Sequence, residues 1–157
     1  MTDLLDRLFA EFAEERARLH AEHASSRPLS DGYELVGLKG EAEFQRVFNV
    51  PMDLNPRSGG DAGVDFVVPL RTTVDVKCAR KAFNLIQEQG KVGGADIYVL
   101  AQYHDETQHA ELLGWAWKAE LLRAPVRDFG KGIVNHFIER QDLRSIASLH
   151  DRIMRFA

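Results

Sequence analysis

The spacing of hydrophobic positions changes along the chain, and it separates an N-terminal helix from a region in which strands and helices alternate. In residues 3–24, leucine and phenylalanine recur every three or four positions, which predicts an N-terminal amphipathic helix covering residues 1–24. Residues 25–32 contain Pro28, Gly32 and three serines, so we interpret them as a linker. Shorter hydrophobic runs separated by turn-forming residues follow, and we expect residues 33–157 to form one domain.

The elements predicted for this domain alternate between strands and helices. The pattern predicts strands at Tyr33–Val36, Val64–Val68, Thr72–Cys78, Asp96–Tyr103, Ala110–Trp117 and Ile133–Ile138, and helices at Gly40–Asn49, Lys118–Arg123 and Gln141–Phe156. Pro51 to Asp61 reads as irregular, and the pattern over residues 79–95 favours no single element. Interleaved strands and helices indicate an α/β fold with a central mixed sheet of four to five strands, flanked by helices and preceded by the extra N-terminal helix.

The most informative stretch is the predicted hairpin in which Val64–Val68 and Thr72–Cys78 are joined by Pro69, Leu70 and Arg71. Because side chains alternate along a strand, Asp75 and Lys77 share one face while the valines beside them share the other. If the two strands pair, Asp65 lies beside Asp75 on that face. Two carboxylates and one ammonium then converge at one place on the sheet.

Burying these charges is costly unless they neutralise one another or bind a metal ion. Two carboxylates suit Mg²⁺, which keeps several waters for a substrate phosphate. A neighbouring lysine can orient or deprotonate a water, or offset the charge of the phosphate. The pattern indicates metal-assisted phosphodiester hydrolysis. The alternative is a charge-balanced edge hairpin in which Asp65 caps a turn, and spacing alone does not separate the two.

A third acid is expected from the helix that precedes the hairpin. At 100° per residue, Glu41 lies about 65° from the centre of the face formed by Phe44, Val47 and Phe48, and Glu43 lies about 95° away on the other side. Glu41 is therefore better placed to reach inward. The alternative is a glutamate in the first turn that interacts only with the helix dipole.

Three motifs resemble the PD-(D/E)XK nuclease superfamily, which has a restriction-endonuclease-like fold and includes Holliday-junction resolvases and small phage nucleases. They are Gly37-Leu-Lys-Gly-Glu41, Gly63-Val-Asp65 and Asp75-Val-Lys77. The resemblance covers residues 33–146, and Val64 stands where the family signature has a proline.

The resemblance implies a Mg²⁺-dependent DNA nuclease, with Mn²⁺ as a substitute, that acts in phage or bacterial DNA processing, repair or recombination. It implies Asp65 and Asp75 as metal ligands, Glu41 as the acid from the helix and Lys77 as the catalytic lysine. Arg57, Ser58, Arg80 and Lys81 are further candidates for contacts with DNA phosphates, against the alternatives of a flexible turn and a solvated surface. A nuclease that cuts both strands needs two sites, which favours a homodimer.

Composition limits the remaining classes of function. The chain has 157 residues, 45% of them hydrophobic, a net charge of −4 and one cysteine. This charge argues against binding of nucleic acid by bulk electrostatics alone. No apolar run approaches the ~20 residues of a membrane span, and the acidic start is unlike a secretory signal, so we expect a soluble cytoplasmic protein without a membrane partner.

Two other functions remain open from the sequence. The same fold can serve as a non-catalytic module that binds DNA or a protein, with the acids in a structural role. The acidic N-terminal helix can also act alone as an interaction segment, and in that case its deletion abolishes assembly.

Overall fold

The structure is a computed structural model that describes residues 32–51 and 64–156 together with Glu11. The predicted N-terminal helix apart from Glu11, the linker apart from Gly32, and the irregular segment beyond Pro51 lie outside the described residues. None of the helices in the described part has the length and apolar character that crossing a membrane requires.

The described ranges contain three helices and seven strands. The helices are α1 (Tyr33–Phe48), α2 (Lys118–Arg123) and α3 (Ile146–Arg155). The strands are β1 (Phe66–Val68), β2 (Thr72–Ala79), β3 (Asn84–Glu88), β4 (Ile97–His104), β5 (His109–Trp117), β6 (Val126–Asp128) and β7 (Val134–Glu139).

A four-stranded mixed sheet forms the centre of the fold, with the strand order β1-β2-β4-β5. β1 and β2 pair antiparallel with Phe66 opposite Val74, which confirms the predicted hairpin. β2 and β4 pair parallel, and β4 and β5 pair antiparallel. The α/β class and the mixed four-stranded sheet are therefore as the sequence predicts.

A second sheet with the order β3-β7-β6 was not predicted. All of its strands pair antiparallel. β3 lies in the stretch over residues 79–95 that the hydrophobic pattern left undetermined. It forms part of the connection between β2 and β4, which must be long because parallel neighbours cannot be joined by a tight turn.

Each face of the central sheet packs against a separate hydrophobic core. On one face, side chains of α1 and α3 contact the sheet and form the helix-side core, which includes Phe44, Phe48, Val74, Val76, Ile97, Val99, Trp115, Leu149 and Ile153. On the other face, side chains of β3 and α2 form the second core, which includes Ala82, Leu85, Ala95, Tyr98, Leu100, Ala116 and Leu121. The alternation of side chains along β4 divides its residues between the two cores.

The predicted strand at Tyr33–Val36 is wrong, because α1 begins at Tyr33. Val36, Gly40 and Phe44 are buried at intervals of four residues, so this segment continues the face of the helix that contacts the sheet. A short apolar run does not distinguish a strand from a buried helical turn, which explains the error.

The predicted helix at Gln141–Phe156 begins five residues too early. Residues Arg140–Asp142 form a 3₁₀ turn, and α3 begins only after Ser145, whose hydroxyl accepts a hydrogen bond from the Ser148 N–H at 3.2 Å. Between them, Arg144 exchanges two backbone hydrogen bonds with Trp115, at 3.0 and 2.9 Å. This tertiary pairing keeps Arg144 extended and delays the start of the helix.

Candidate active site

Asp75 and Lys77 project from β2 on the face opposite to α1. Their neighbours Val74 and Val76 point into the helix-side core, so alternation directs the two charged side chains to the other side. The Lys77 Nζ lies 2.8 Å from the Asp75 Oδ2, and the side chain of Asp75 is only 6% exposed whereas that of Lys77 is 38% exposed. The result is a buried carboxylate paired with an ammonium that still reaches solvent.

The pair keeps Lys77 charged. Burial by itself lowers the pKa of Lys77, but the charge of Asp75 and the hydrogen bond to it outweigh burial and raise the pKa above its usual value of 10.5. The charge of Asp65 adds to this rise in the pKa. Lys77 is therefore an ammonium at neutral pH.

Asp65 lies directly before β1 and joins this group. The register of the hairpin, continued by one residue, sets Asp65 opposite Asp75, and the Asp65 N–H donates to the Val74 carbonyl at 2.8 Å. Its Oδ2 accepts a hydrogen bond from the Val76 N–H at 2.7 Å. The fold thus brings together Asp65, Asp75 and Lys77, three of the four residues that the motifs single out.

Tyr98 is a neighbour of this group that sequence reasoning missed. It lies opposite Asp75 in the parallel pairing of β2 with β4, and it is fully buried. Burial raises the pKa of Tyr98, Asp75 raises it further, and Lys77 and the Gly93 backbone lower it. The only signal in the sequence was a tyrosine within an apolar strand, which does not reveal its partner on another strand.

Glu41, the fourth residue, approaches β2 from the other side. It is buried on α1 beside Cys78, the residue that follows Lys77. Burial, together with the charge of Glu41, raises the pKa of the Cys78 thiol to about 12. Cys78 packs against the helix-side core, because alternation along β2 turns it to the face opposite Lys77. Among the described strands, only β1 pairs with this edge of β2, and its pairing ends at Val74.

The two aspartates fit a divalent cation by the chemistry of their donor atoms. Mg²⁺ is typically held by one or two carboxylates and retains several waters. Asp75 contacts Lys77 through one oxygen, so its other oxygen, Oδ1, is not engaged in that ion pair. Among the described residues, no group of three or more histidine, cysteine, aspartate or glutamate side chains is arranged to hold a metal ion. The candidate ligands are therefore a pair, Asp65 and Asp75.

The candidate DNA contacts differ in their surroundings. The Arg80 Nε lies 3.2 and 3.0 Å from the two carboxylate oxygens of Asp105, and its guanidinium lies 5.7 Å from the centre of the Tyr103 ring. Lys81 is exposed. Arg57 and Ser58 lie outside the described residues.

The described residues thus form a compact polar group at the edge of a hydrophobic core, with two carboxylates and one protonated amine. Comparison of the chain with protein-family models, with curated proteins and with solved structures finds no match.

Proposed function

We propose that this protein is a metal-dependent DNA nuclease of the PD-(D/E)XK type, with a restriction-endonuclease-like core. The observation that carries the proposal is the 2.8 Å contact between buried Asp75 and Lys77 in an otherwise apolar strand. Asp65 lies opposite Asp75 in the hairpin register and supplies a second carboxylate. The mixed sheet, with α1 packed on one face, is compatible with this fold.

Asp65 and Asp75 are the residues that would hold Mg²⁺, or Mn²⁺ in its place. These residues would place the cation where it would polarise a phosphate oxygen and lower the pKa of a bound water. Glu41 lies on the opposite face of β2, beside Cys78, and is not one of this pair. As a third acid it would have to reach the cation around the edge of β2, where the pairing with β1 has ended. The Val76 N–H holds Asp65 in a fixed orientation through its 2.7 Å hydrogen bond.

Lys77 acts as a hydrogen-bond donor in this mechanism. The charge of Asp75 and the hydrogen bond to it raise the pKa of Lys77, which favours its protonated, donating form. It orients the attacking water and offsets the negative charge that develops on the phosphate.

The reaction is hydrolysis of a phosphodiester bond in DNA. The oxygen of water bonds to phosphorus and the bond from phosphorus to the 3′ oxygen breaks. The attacking water loses one proton to solvent, and the leaving 3′ oxygen takes one proton from solvent, so the products are a 5′ phosphate and a 3′ hydroxyl. Because a net charge of −4 does not attract DNA as a whole, the proposal assigns substrate contact to Lys77 and to the cation that Asp65 and Asp75 would hold. A homodimer supplies the second site that cutting of both strands requires.

Cleavage of supercoiled plasmid tests the proposal directly. We expect relaxed and linear products in Mg²⁺ or Mn²⁺ and none in EDTA. Lys77→Ala should reduce the rate of nicking by about 100-fold or more, in line with loss of a charge that stabilises a transition state. Wild-type nicking that persists in EDTA, or nicking by Lys77→Ala at the wild-type rate, would overturn the proposal.

Two further variants separate chemistry from folding. Lys77→Arg keeps a cation beside buried Asp75 and thus supports the fold, but a guanidinium does not replace an ammonium in orienting a water, so we expect nicking to be lost as well. Lys91→Ala is the matched control, because Lys91 forms an ion pair with Glu88 at 3.2 Å on the surface. It should cleave plasmid at the wild-type rate.

The alternative function has its own outcome. Retention of DNA without cleavage, in Mg²⁺ and in Mn²⁺, would identify the non-catalytic binding module instead.

A further inference from the structure

The hydroxyl of Tyr98 lies inside the second core, and none of the described residues gives it a hydrogen bond. The residue is fully buried, and its hydroxyl oxygen has no partner of hydrogen-bonding geometry among the described residues. The Gly93 backbone is near enough to lower the pKa of Tyr98 but does not reach that geometry. A buried hydroxyl without a partner destabilises a protein, so phenylalanine would suit this position better if packing were its only role.

Tyr98 lies beside Asp75 of the proposed site, on the neighbouring strand. Tyr98 and Asp75 occupy opposite positions on neighbouring parallel strands, with their side chains on the same face of the sheet. The charges of Asp75 and Lys77 both act on Tyr98. The Asp75 Oδ2 is meanwhile occupied by the Lys77 Nζ at 2.8 Å.

Binding of a cation changes this arrangement. An ammonium and a divalent cation repel each other when they share one carboxylate, so Lys77 is weakened as a partner of Asp75 once a cation is bound. The carboxylate then needs a donor that carries no charge. Carboxylates that bind metals are commonly held by such hydrogen bonds from neighbouring side chains.

We propose that Tyr98 is a positioning residue for the metal site: once Asp75 binds a divalent cation, Lys77 leaves the Asp75 carboxylate and the Tyr98 hydroxyl donates a hydrogen bond to it instead. The movement frees Lys77 to contact water and phosphate. The inference rests on the proposed function, since it assigns Tyr98 to the same site.

Binding of Mn²⁺ alone, measured by calorimetry, tests this role with Tyr98→Phe. We expect the dissociation constant for Mn²⁺ to rise about tenfold or more, as is typical when a residue that supports a metal ligand is lost. Thermal unfolding in EDTA should occur at the wild-type temperature or above, because the variant removes only a hydroxyl that makes no hydrogen bond to the described part of the chain. Tyr103→Phe, on the same strand and 6% exposed, is the matched control and should bind Mn²⁺ like wild type.

The outcomes separate this inference from the proposed function. Equal Mn²⁺ affinity of wild type and Tyr98→Phe would overturn the role of Tyr98 while the nuclease proposal stands. A lower unfolding temperature of Tyr98→Phe in EDTA would also overturn it, because the hydroxyl would then stabilise the metal-free fold. If the wild-type protein binds no Mn²⁺, the proposed metal site is wrong and the role of Tyr98 is overturned with it. This conclusion is the same whether plasmid nicking still requires Lys77 or does not occur at all.

Discussion

The Asp65 carboxylate bonds to the backbone of the strand opposite: its Oδ2 accepts a hydrogen bond from the Val76 N–H at 2.7 Å. This bond extends the hairpin past Phe66 and Val74, the last pair of its ladder at this end. It also orients the carboxylate beside Asp75 and Lys77. Asp65 thus has a structural task of the kind that the sequence suggested as an alternative, and that task is compatible with binding a cation.

Two substitutions of Asp65 should separate its structural role from its proposed role as a metal ligand. Asp65→Asn keeps an oxygen that accepts from Val76, and we expect it to lower the free energy of unfolding by about 1 kcal/mol. Asp65→Ala leaves the Val76 N–H without this acceptor and should cost about 2 kcal/mol. Both should nick plasmid about 100-fold or more slowly, since both lack the charge that binds Mg²⁺. Urea denaturation and plasmid nicking measure the two effects, and rapid nicking by Asp65→Asn would remove Asp65 from the metal site.

Glu41 has a matched control on its own helix. Glu34 and Glu41 lie seven residues apart, about two turns of α1, and are 5% and 7% exposed. Glu41→Gln should weaken Mn²⁺ binding about tenfold or more if its carboxylate joins the metal site, and Glu34→Gln should not. Calorimetry with Mn²⁺ checks both variants. Equal affinities would leave Asp65 and Asp75 as the ligands and assign Glu41 to the fold alone.

Gly40 sets how closely α1 approaches β2. A Cβ atom on Gly40 would lie 2.5 Å from the Cys78 Cβ and 3.2 Å from its Sγ, whereas one on Gly37 would meet nothing within 4 Å. We expect Gly40→Ala to destabilise the protein by about 1–3 kcal/mol through overpacking. Gly37→Ala should instead stabilise it by about 0.5–1 kcal/mol, because alanine favours a helix over glycine. Urea denaturation compares them, and a stabilising Gly40→Ala would contradict the close packing of α1 on β2.

Cys78 should be unreactive in the folded protein. Burial and Glu41 raise the pKa of its thiol from 9.0 to about 12, and only the thiolate is alkylated. At pH 8 the folded thiol should react with iodoacetamide about 1,000-fold more slowly than an unperturbed one. The chain has one cysteine, so mass spectrometry of the intact protein reports this site alone. The same protein in urea is the control and should react at the ordinary rate.

The same pKa difference gives a pH dependence of stability. Between pH 9 and about 12 the unfolded state has lost the thiol proton and the folded state has kept it, so the free energy of unfolding decreases as pH rises. Below pH 9 the thiol is protonated in both states and has no such effect. Cys78→Ala should remove this part of the decline, which urea denaturation at pH 8 and pH 10 would show. Identical pH dependence of the two proteins would indicate a thiol with an ordinary pKa.

The elements that could be predicted are those in which the residues of the element itself favour one conformation. α2 has the predicted bounds Lys118–Arg123. β4 differs from its predicted bounds by one residue at each end, and β5 differs by one residue at its start. Long apolar runs identify the two strands, and Pro125 marks the end of α2. β6 has three exposed residues, and β3 alternates poorly, so neither shows a pattern of burial that the sequence alone reveals.

For the site, the sequence by itself determined that Asp75 and Lys77 share a face and that a hairpin sets Asp65 beside them. These relations follow from the two-residue period of a strand and from a short turn, which act over neighbouring positions. Only the tertiary structure decided that Tyr98 lies against Asp75, that Glu41 lies beside Cys78, and that Arg80 is held by Asp105. These contacts join residues far apart in the chain, and they depend on how a sheet and a helix pack rather than on any local preference.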